Sequence, residues 1–378
     1  MRIAGDWLAA PGAQAVCTML EAAGHRALFV GGCVRNALMG RPVADLDIAT
    51  DALPEAVMAL AAAAGLRTVP TGLAHGTVTV IAAGVPHEVT TFRRDVATDG
   101  RHATVAFTAA VEHDAARRDF TMNALYADRT GQVIDPLGGL PDLRAGRVRF
   151  VGDPAARIAE DYLRVLRFFR FHAHYGADGL DPEGLAACAA AVPGLGRLSR
   201  ERVGAEMRKL LAAPDPAPAV AAMAAAGVLG AVLPGADPAP LAVLVHLEGD
   251  LAPEWLRRLA ALGGAAPAEA LRLSRAEAQA LDRIAGAARD GMPPHEAGYR
   301  LGAEAGRDAV LVRAALLAAP LAPGWAAEVA RGAAAVCPVS AADFMPRLSG
   351  PALGAALKAA EDRWIASGFS LARNDLAG

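Results

Sequence analysis

Lysine is almost absent from this sequence of 378 residues, in which only Lys209 and Lys358 occur. Arginine therefore carries nearly all of the positive charge, and every cationic site must use a guanidinium group, which suits planar and phosphate ligands. The net charge is −3, which is not that of a generally basic nucleic-acid-binding protein. Any binding of nucleic acid has to come from local arrangements of arginine.

Cysteine is also scarce, and its four copies lie far apart, at Cys17, Cys33, Cys188 and Cys337. No CxxC pair or paired histidine spacing accompanies them. This argues against a structural zinc site or a disulfide framework and favours the cytoplasm.

Long hydrophobic runs are missing as well. The longest, residues 219–233, ends at Pro234 and is shorter than the ~20 apolar residues that span a bilayer. It predicts a buried, alanine-rich helix, and we expect no membrane association. The N-terminal residues show no signal-peptide pattern.

Two common nucleotide-binding signatures are absent. The chain has neither the GxxxxGK[ST] sequence of P-loop enzymes nor the GxGxxG sequence of kinases and dinucleotide-binding proteins. No His-Asp dipeptide beyond residue 150 marks an appended phosphohydrolase. A nucleotide site must therefore be built in another way.

The remaining pattern predicts an α+β head followed by helices. Runs rich in β-branched residues alternate with helical patterns up to about residue 150, and helical patterns continue from there to the C-terminus. Strands are predicted at 26–30, 44–50, 76–84, 85–93 and 101–107, and a helix at 120–128. We expect a head over 1–150, a neck over 151–213, a body over 214–300 and a tail over 301–378, with the clearest linker at 211–220.

The segment LFVGGCVRNALMG (28–40) predicts a buried strand, a glycine turn and a short helix. Backbone N–H groups at such a turn can receive a phosphate. Arg35, in the first turn of the helix, can bind the same anion.

Asp45 and Asp47 lie on the next predicted strand, 44–50. Because a strand alternates its faces, the two carboxylates are expected on one side, where they repel unless a cation lies between them. Taken alone, this pair is also typical of a solvated edge strand. Beside a phosphate-binding turn, it indicates Mg²⁺ held for transfer from a nucleoside triphosphate.

The segment ARRDFTMNAL (116–125) places Arg117 and Arg118 before Asp119. Asp119 is predicted to cap a helix that begins at Phe120. The two arginines are either surface residues or contacts to a triphosphate, with Asp119 fixing the loop.

In EDYLRVLRFFRF (160–171), helical spacing counted from Asp161 places Arg164, Arg167 and Arg170 on one side and apolar residues on the other. No acid is interspersed among these arginines, so their mutual repulsion favours the approach of an anion. Phe168 and Phe171 either stack on a base or pack in the core.

These segments, together with TGLAHGTVTV, HEVTTFRRD and DPLGGLPDL, resemble the tRNA nucleotidyltransferase/poly(A) polymerase family, and more narrowly its bacterial-type class II CCA-adding enzymes. The resemblance covers about residues 25–210 and keeps the family's motif order. It implies a head of nucleotidyltransferase fold with a small mixed β-sheet, followed by an all-α neck, body and tail.

The resemblance also implies roles in the head. Gly32 and Arg35 would contact the nucleotide, and Arg118 would hold its triphosphate. Asp45 and Asp47 would be catalytic and bind Mg²⁺, which would activate the RNA 3′-hydroxyl and neutralise the leaving pyrophosphate. Glu88 is a candidate third carboxylate, and Asn36 stands where the family has an aspartate.

In the neck, the implied nucleotide pocket consists of Asp161, Arg164, Arg167 and Arg170. Cytosine and adenine each present an amino donor beside a ring-nitrogen acceptor, which matches Asp161 and Arg164. Uracil and guanine would turn a carbonyl toward Asp161, at a cost of roughly 1–3 kcal/mol. The implied substrates are CTP, ATP and the 3′ end and acceptor region of tRNA, with no protein partner required.

Other activities use the same motifs. An A-adding or C-adding tRNA nucleotidyltransferase and a poly(A) polymerase remain alternatives, although the chain lacks the basic stretch and basic tail typical of the polymerases. A non-catalytic helical RNA-binding protein is a remote alternative, which the presence of Asp45, Asp47 and Arg118 opposes.

Overall fold

A computed structural model of the chain describes residues 1–98, 103–345 and 347–377. The chain divides into two compact units. One comprises Met1–Arg202 and Ala225–Ala231, and the other comprises Val203–Ala224 and the chain from Val232 onward. The first unit combines strands with helices and the second is helical, so the prediction of an α+β head followed by helices is confirmed. The finer division into four parts stays a prediction.

The first unit contains a mixed sheet and a separate hairpin. The strands are β1 (Ala27–Val30), β2 (Asp47–Thr50), β3 (Arg67–Gly72), β4 (Thr77–Ala82), β5 (Val85–Thr91), β6 (Arg93–Thr98), β7 (Ala103–Phe107), β8 (Tyr126–Asp128) and β9 (Val133–Ile134). Seven of them form one sheet in the order β3-β4-β5-β2-β1-β8-β9, and β6 pairs with β7. Among the described strand pairs, β2 and β5 alone run parallel.

Helices pack against the sheet of the first unit and make up most of the described chain beyond it. In the first half they are α1 (Pro11–Ala22), α2 (Gly32–Leu38), α3 (Pro54–Ala63), α4 (Val111–Ala116), α5 (Leu140–Arg144), α6 (Pro154–Glu160), α7 (Leu163–Tyr175), α8 (Pro182–Ala190) and α9 (Arg200–Leu211). The later ones are α10 (Ala217–Ala225), α11 (Val228–Val232), α12 (Ala239–Glu248), α13 (Trp255–Leu262), α14 (Pro267–Ala270), α15 (Arg275–Asp290), α16 (Pro294–Leu301), α17 (Ala303–Leu316), α18 (Trp325–Ala334), α19 (Gly350–Ala366) and α20 (Arg373–Ala377). No described helix is long and apolar enough to cross a bilayer.

The two faces of the sheet differ in polarity. Along β4, Val78, Val80 and Ala82 are buried and alternate with partly exposed residues. Helices α1 and α3 pack against β4, and their apolar residues supply the cover that this burial requires. Glu88 on β5 is exposed on the opposite side.

Two predicted helices are wrong. Residues 120–128 contain a 3₁₀ turn, Thr121–Asn123, followed by β8. The strand forms because β8 pairs with β1 and β9, and these pairings cannot be predicted from the local sequence. The apolar run 219–233 is divided into α10 and α11 at Gly227, whose φ of 76° is left-handed. The first two residues of the predicted strand 101–107 lie outside the described residues.

The predicted linker 211–220 is held in place within the second unit. Arg258 is 1% exposed and donates to the carbonyl oxygens of Leu211, Ala213 and Pro214 at 2.5–3.1 Å. Its charge is balanced by Glu248, whose Oε2 lies 2.7 Å from Nη2. A buried guanidinium thus anchors this proline-rich stretch.

Candidate active site

The glycine turn between β1 and α2 brings two guanidinium groups close to the backbone. Gly31 has φ 72° and ψ −117°, a conformation that residues with a Cβ rarely adopt. A Cβ at Gly31 would lie 3.4 Å from Nη1 of Arg118, and one at Gly32 would lie 3.8 Å from Nη2 of Arg35. The turn therefore lies within reach of both arginines.

Arg35 is 7% exposed and is held by neutral groups. It donates to Oδ1 of Asn123 at 2.5 Å, to Oδ1 of Asn36 at 2.9 Å and to the hydroxyl of Tyr175 at 2.8 Å. Asn36 in turn donates from Nδ2 to the carbonyl oxygen of Pro42 at 2.9 Å. An aspartate at position 36 has no N–H for this last bond, so the amide has a structural use here.

Arg118 is positioned by a buried acid and a tyrosine. It donates from Nη2 to Asp114 Oδ2 and from Nε to the hydroxyl of Tyr126, each at 3.1 Å, and that hydroxyl donates to Asp114 Oδ2 at 2.7 Å. Burial alone would raise the pKa of Asp114, but Arg118 and Arg117 outweigh it and lower that pKa. Burial likewise opposes the charge of Arg118, but Tyr126 and Asp114 outweigh it and raise the pKa of Arg118.

Asp119 connects the head to α7 instead of capping a long helix. Its Oδ1 accepts from the N–H of Phe120 at 2.8 Å and from Nδ2 of Asn123 at 2.9 Å, and its Oδ2 accepts from Nε of Arg167 at 2.8 Å. Since Asn123 also binds Arg35, a continuous chain of hydrogen bonds runs from Arg35 through Asn123 and Asp119 to Arg167.

The two aspartates lie at the start of β2. The strand begins at Asp47, so Asp45 precedes it, and the expectation that strand alternation places both on one side is wrong for Asp45. Both nevertheless line one cavity of about 590 Å³ together with Glu88, which is the register partner of Asp47 across the parallel pair.

The surroundings of Asp47 in this cavity shift its pKa. Loss of hydration raises the pKa of Asp47, the charges of Glu88 and Asp45 raise it further, and Arg118 lowers it. Carboxylate oxygens are the ligands that Mg²⁺ takes in proteins, usually one or two of them with water and substrate phosphate completing the set. In the described part of the chain, no group of three or more His, Cys, Asp or Glu residues forms a metal site. A pair of carboxylates whose negative charge is incompletely balanced fits a divalent metal of this kind.

Asp161 lies between two helices and not on one. Helix α6 ends at Glu160, Asp161 is extended with φ −155° and ψ 106°, and α7 begins at Leu163, so the helical spacing counted from Asp161 is wrong for this residue. Its Oδ2 accepts from Nη2 of Arg202 at 2.7 Å, and its Oδ1 accepts from the N–H of Leu163 at 3.1 Å.

The arginines of α7 have internal partners. Arg164 donates to Glu160 Oε2 at 2.5 Å and to the carbonyl oxygens of Arg157 and Arg117 at 2.8 and 3.2 Å, and Arg167 pairs with Asp119. Acids outside the helix face therefore balance part of its charge, and the argument that these arginines need a visiting anion is wrong.

The phenylalanines of α7 belong to the core. Phe168 and Phe171 are 0% and 5% exposed and pack against Phe120 at centroid distances of 6.4 and 5.0 Å. The guanidinium of Arg170 lies 4.6 Å from the centroid of the Phe171 ring. The buried phenylalanine therefore packs against the arginine side of α7.

Comparison with known proteins gives consistent matches. Residues 27–149 match the family model of the poly A polymerase head domain, and residues 179–239 match that of the probable RNA and SrmB-binding site of polymerase A. The crystal structure of the Bacillus stearothermophilus CCA-adding enzyme in complex with CTP is 31% identical in sequence, with a TM-score of 0.71, and the match covers 94% of this chain and 92% of that one. The chain belongs to the tRNA nucleotidyltransferase/poly(A) polymerase family.

Other relatives of this nucleotidyltransferase family agree. The CCA-adding enzyme of Geobacillus thermodenitrificans strain NG80-2 is 41% identical over 251 residues, which are 66% of this chain and 57% of that protein. The chain thus spans little more than half the length of such curated relatives. A Thermotoga maritima CCA-adding enzyme complexed with tRNA shares the fold at 17% identity, with a TM-score of 0.70 over 100% of this chain and 97% of that one. Nucleotidyltransferases of this kind generally need a divalent metal.

Several supporting residues of this candidate site were missed by sequence reasoning. Asp114, Asn123 and Tyr126 hold the predicted arginines of the head, and Arg202 holds Asp161. Only Asp114 left a usable signal, because it precedes Arg117 and Arg118 by three and four residues, the spacing of helical ion pairs. The others meet their partners through the fold.

Proposed function

We propose that this chain is a CCA tRNA nucleotidyltransferase, which adds C, C and A to the tRNA 3′ end from CTP and ATP without a nucleic-acid template and releases pyrophosphate. The observation that carries the proposal is the placement of Arg118, which lies against the glycine turn and also acts electrostatically on Asp47. This placement supports a single site in which Arg118 would bind phosphate and Asp47 would bind metal.

The head residues would bind and orient the triphosphate. Gly32 allows close approach of the phosphates to the backbone, and Arg35 and Arg118 supply guanidinium donors beside it. Because Asp114 and Tyr126 fix Arg118, and neutral groups fix Arg35, little side-chain freedom is lost when the nucleotide binds.

Asp45 and Asp47 would hold Mg²⁺, with Glu88 as a neighbouring third carboxylate. When bound, the metal supplies a Lewis acid that favours ionisation of the RNA 3′-hydroxyl and neutralises charge on the pyrophosphate. The pairing of β2 with β5 fixes Asp47 and Glu88 side by side, and Asp45 precedes β2 by two residues.

Asp161 and Arg164 would read the base, within a pocket completed by Arg167 and Arg170. A carboxylate has about four acceptor positions, and the bonds from Arg202 and Leu163 use two of those of Asp161. Capacity therefore remains for the amino group of cytosine or adenine. Arg164 is held by Glu160, which orients its remaining donors.

We further propose that residues 151–213 act as the neck, residues 214–300 as the body and residues 301–378 as a tail that binds tRNA. The 3′ end of the RNA would then meet the head at Asp47. A cytoplasmic location belongs to the same proposal.

The deciding experiment supplies the purified protein with a tRNA that lacks its 3′-terminal CCA, in Mg²⁺, with each nucleoside triphosphate alone and then with CTP and ATP together. We expect two additions with CTP alone, none with UTP or GTP, and addition of CCA followed by arrest with the pair. With CTP and ATP together, a single added A, added C without a final A, or a long poly(A) tail would contradict CCA addition and support the corresponding relative.

Asp47→Asn is the control for an inactive site in this assay. It should retain binding of the tRNA while losing incorporation. Incorporation at the wild-type rate would show that the carboxylate assignment is wrong.

A further inference from the structure

Tyr175 is the last residue of α7 and contacts the helix that opens at the glycine turn. Its hydroxyl accepts a hydrogen bond from Nη2 of Arg35 at 2.8 Å, and its ring lies 4.0 Å from Cζ of the same guanidinium. One tyrosine therefore contacts Arg35 both through its polar atom and through its ring face. A cation–π contact of this geometry adds to the hydrogen bond in restricting the arginine.

The same ring contacts a second arginine, from the segment that leads to the carboxylates. Cζ of Arg41 lies 5.0 Å from the Tyr175 ring centroid, and Arg41 Nη1 donates to the carbonyl oxygen of His174 at 2.7 Å. Arg41 is four residues before Asp45. The end of α7 is thus tied to α2 and to the chain entering β2, two segments of the head that hold different parts of the site.

The partners of Arg35 differ from those of the other arginines in the site. Arg118, Arg164 and Arg167 each form an ion pair with a carboxylate. Arg35 is held by the amides of Asn36 and Asn123 and by Tyr175, which are uncharged. No carboxylate contacts Arg35 directly in the described structure, although the charge of Asp119 acts on it. The described hydrogen bonds use Nε, both Nη2 hydrogens and one Nη1 hydrogen, which leaves the second Nη1 hydrogen for a phosphate.

We propose that Tyr175 is a positioning residue for nucleotide binding, which holds Arg35 beside the glycine turn and couples the neck helix α7 to the head. Its described hydrogen bond and its cation–π contacts are with Arg35 and Arg41, so it acts through Arg35. The inference rests on the proposed function for its substrate, a cytidine or adenosine triphosphate, and not on the identity of the RNA.

The test compares Tyr175→Phe and Tyr175→Leu in the full-length protein. Phe keeps the ring between the two arginines and removes the hydroxyl, whereas Leu removes both contacts. We expect the Kd for CTP, measured by equilibrium binding in Mg²⁺ without RNA, to rise about three- to tenfold in Tyr175→Phe and about 10- to 30-fold in Tyr175→Leu. In the addition assay, the KM for CTP should rise by similar factors while kcat and the KM for tRNA stay within about twofold.

Tyr299→Phe is the matched control, because the Tyr299 hydroxyl donates to Glu361 at 2.6 Å within the second unit. It should leave CTP binding unchanged. Wild-type CTP affinity in both Tyr175 variants would overturn the proposal. Weaker CTP binding in Tyr175→Phe accompanied by a lower melting temperature would also overturn it, because loss of folded protein would then explain the weaker binding. If Tyr175→Leu fails to fold, the Tyr175→Phe measurement decides alone.

The binding assay also separates this inference from the proposed function. If the wild-type protein binds CTP but adds nothing to tRNA, the proposed function fails and the Tyr175 comparison still decides the positioning role. If the wild-type protein binds neither CTP nor ATP, both proposals fail.

Discussion

Arg118 and Asp114 form an ion pair in which Nη2 lies 3.1 Å from Oδ2 and the carboxylate is 1% exposed. Without Asp114, Arg118 would keep only Tyr126 as a side-chain hydrogen-bond partner, and without Arg118 and Arg117 the acid would remain as a buried charge. Each partner therefore depends on the other, although only the arginine is expected to meet substrate.

Asp114→Asn should weaken both stability and nucleotide binding. Replacing one partner of a buried pair leaves the other without compensation, and we expect a loss of about 2–4 kcal/mol in the free energy of unfolding at pH 7. The KM for CTP should rise because Arg118 is less well oriented. Urea unfolding and initial-rate kinetics measure the two effects.

The pH dependence gives a second check on this pair. Since the folded state lowers the pKa of Asp114, its contribution is present above the ordinary carboxyl pKa and is lost as the pH falls through the folded value. The stability difference between wild type and Asp114→Asn should therefore shrink in acid. A difference that is constant from pH 7 into the acid range would contradict the ion-pair explanation.

Asp47→Asn should separate activity from stability. Loss of the carboxylate is expected to lower incorporation at least about 100-fold, since it removes one of the two proposed metal ligands. In metal-free buffer the same change should raise the melting temperature by about 1–2 °C, because it relieves repulsion with Glu88 and Asp45 at a partly solvated position. Differential scanning calorimetry with EDTA and a primer-extension assay measure these outcomes.

Asp282→Asn is a suitable control for Asp47→Asn. Asp282 is an exposed acid in the middle of α15, and its replacement should change neither incorporation nor the melting temperature. A lower melting temperature for Asp47→Asn in metal-free buffer would show that Asp47 has a stabilising partner other than metal.

Arg164→Ala should relax the choice of base. If Arg164 reads the ring edge, discrimination between CTP and UTP in kcat/KM should fall by about 10- to 100-fold, corresponding to roughly 1–3 kcal/mol. Arg164→Lys should also be impaired, because an ammonium cannot reproduce the geometry of the guanidinium. Single-nucleotide incorporation with each triphosphate gives the ratios.

The control for Arg164 is Arg129→Ala, which removes a partly exposed arginine that pairs with Glu21 in the head. It should preserve the ratio. Unchanged selection of CTP over UTP in Arg164→Ala would remove Arg164 from the base-reading pair and leave it a structural link between α7 and the loop of Arg117.

His87 should make the protein less stable in mild acid. It is 2% exposed, neither ring nitrogen has a hydrogen-bond partner in the described structure, and burial lowers its pKa. As the pH falls through about 6.5 the unfolded chain takes up the proton first, so stability falls, by roughly 1 kcal/mol between pH 7 and pH 5.5. His172 shifts in the same direction and adds to the effect.

His87→Leu should flatten this dependence when unfolding by urea is measured across the same pH range. Replacement of the exposed His246 by Gln should not. If wild type and His87→Leu lose stability with the same slope, the acid sensitivity arises from other groups.

The parts of the site that depend on local geometry were predictable from the sequence. The turn at Gly31 and Gly32 needs a positive φ at Gly31, and the glycine pair in the sequence indicates such a position. The helix carrying Arg164, Arg167 and Arg170 is specified by its own apolar periodicity. In each case the physical requirement lies within a few consecutive residues.

The parts that depend on distant partners were not predictable in the same way. The local sequence predicts a helix at Tyr126, but this residue pairs with β1 and β9 as part of β8. Helical spacing places Asp161 on a helix, but its bond to Arg202 and the start of α7 at Leu163 leave it outside. The balance of charge on α7 was also misjudged, because Asp119 comes from a loop more than 40 residues earlier in the chain.

The parallel pairing of β2 with β5 has a consequence for folding. Parallel neighbours cannot be joined by a tight turn, and α3, β3 and β4 lie between these two strands in the chain. The two ends of this long segment must meet before Asp47 and Glu88 become neighbours. Closing such a loop is slow, because chain entropy is lost before the stabilising contacts between the strands form. A growing chain that stops before β5 therefore has Asp45 and Asp47 without Glu88, and the complete acidic cavity forms only after β5 has paired with β2.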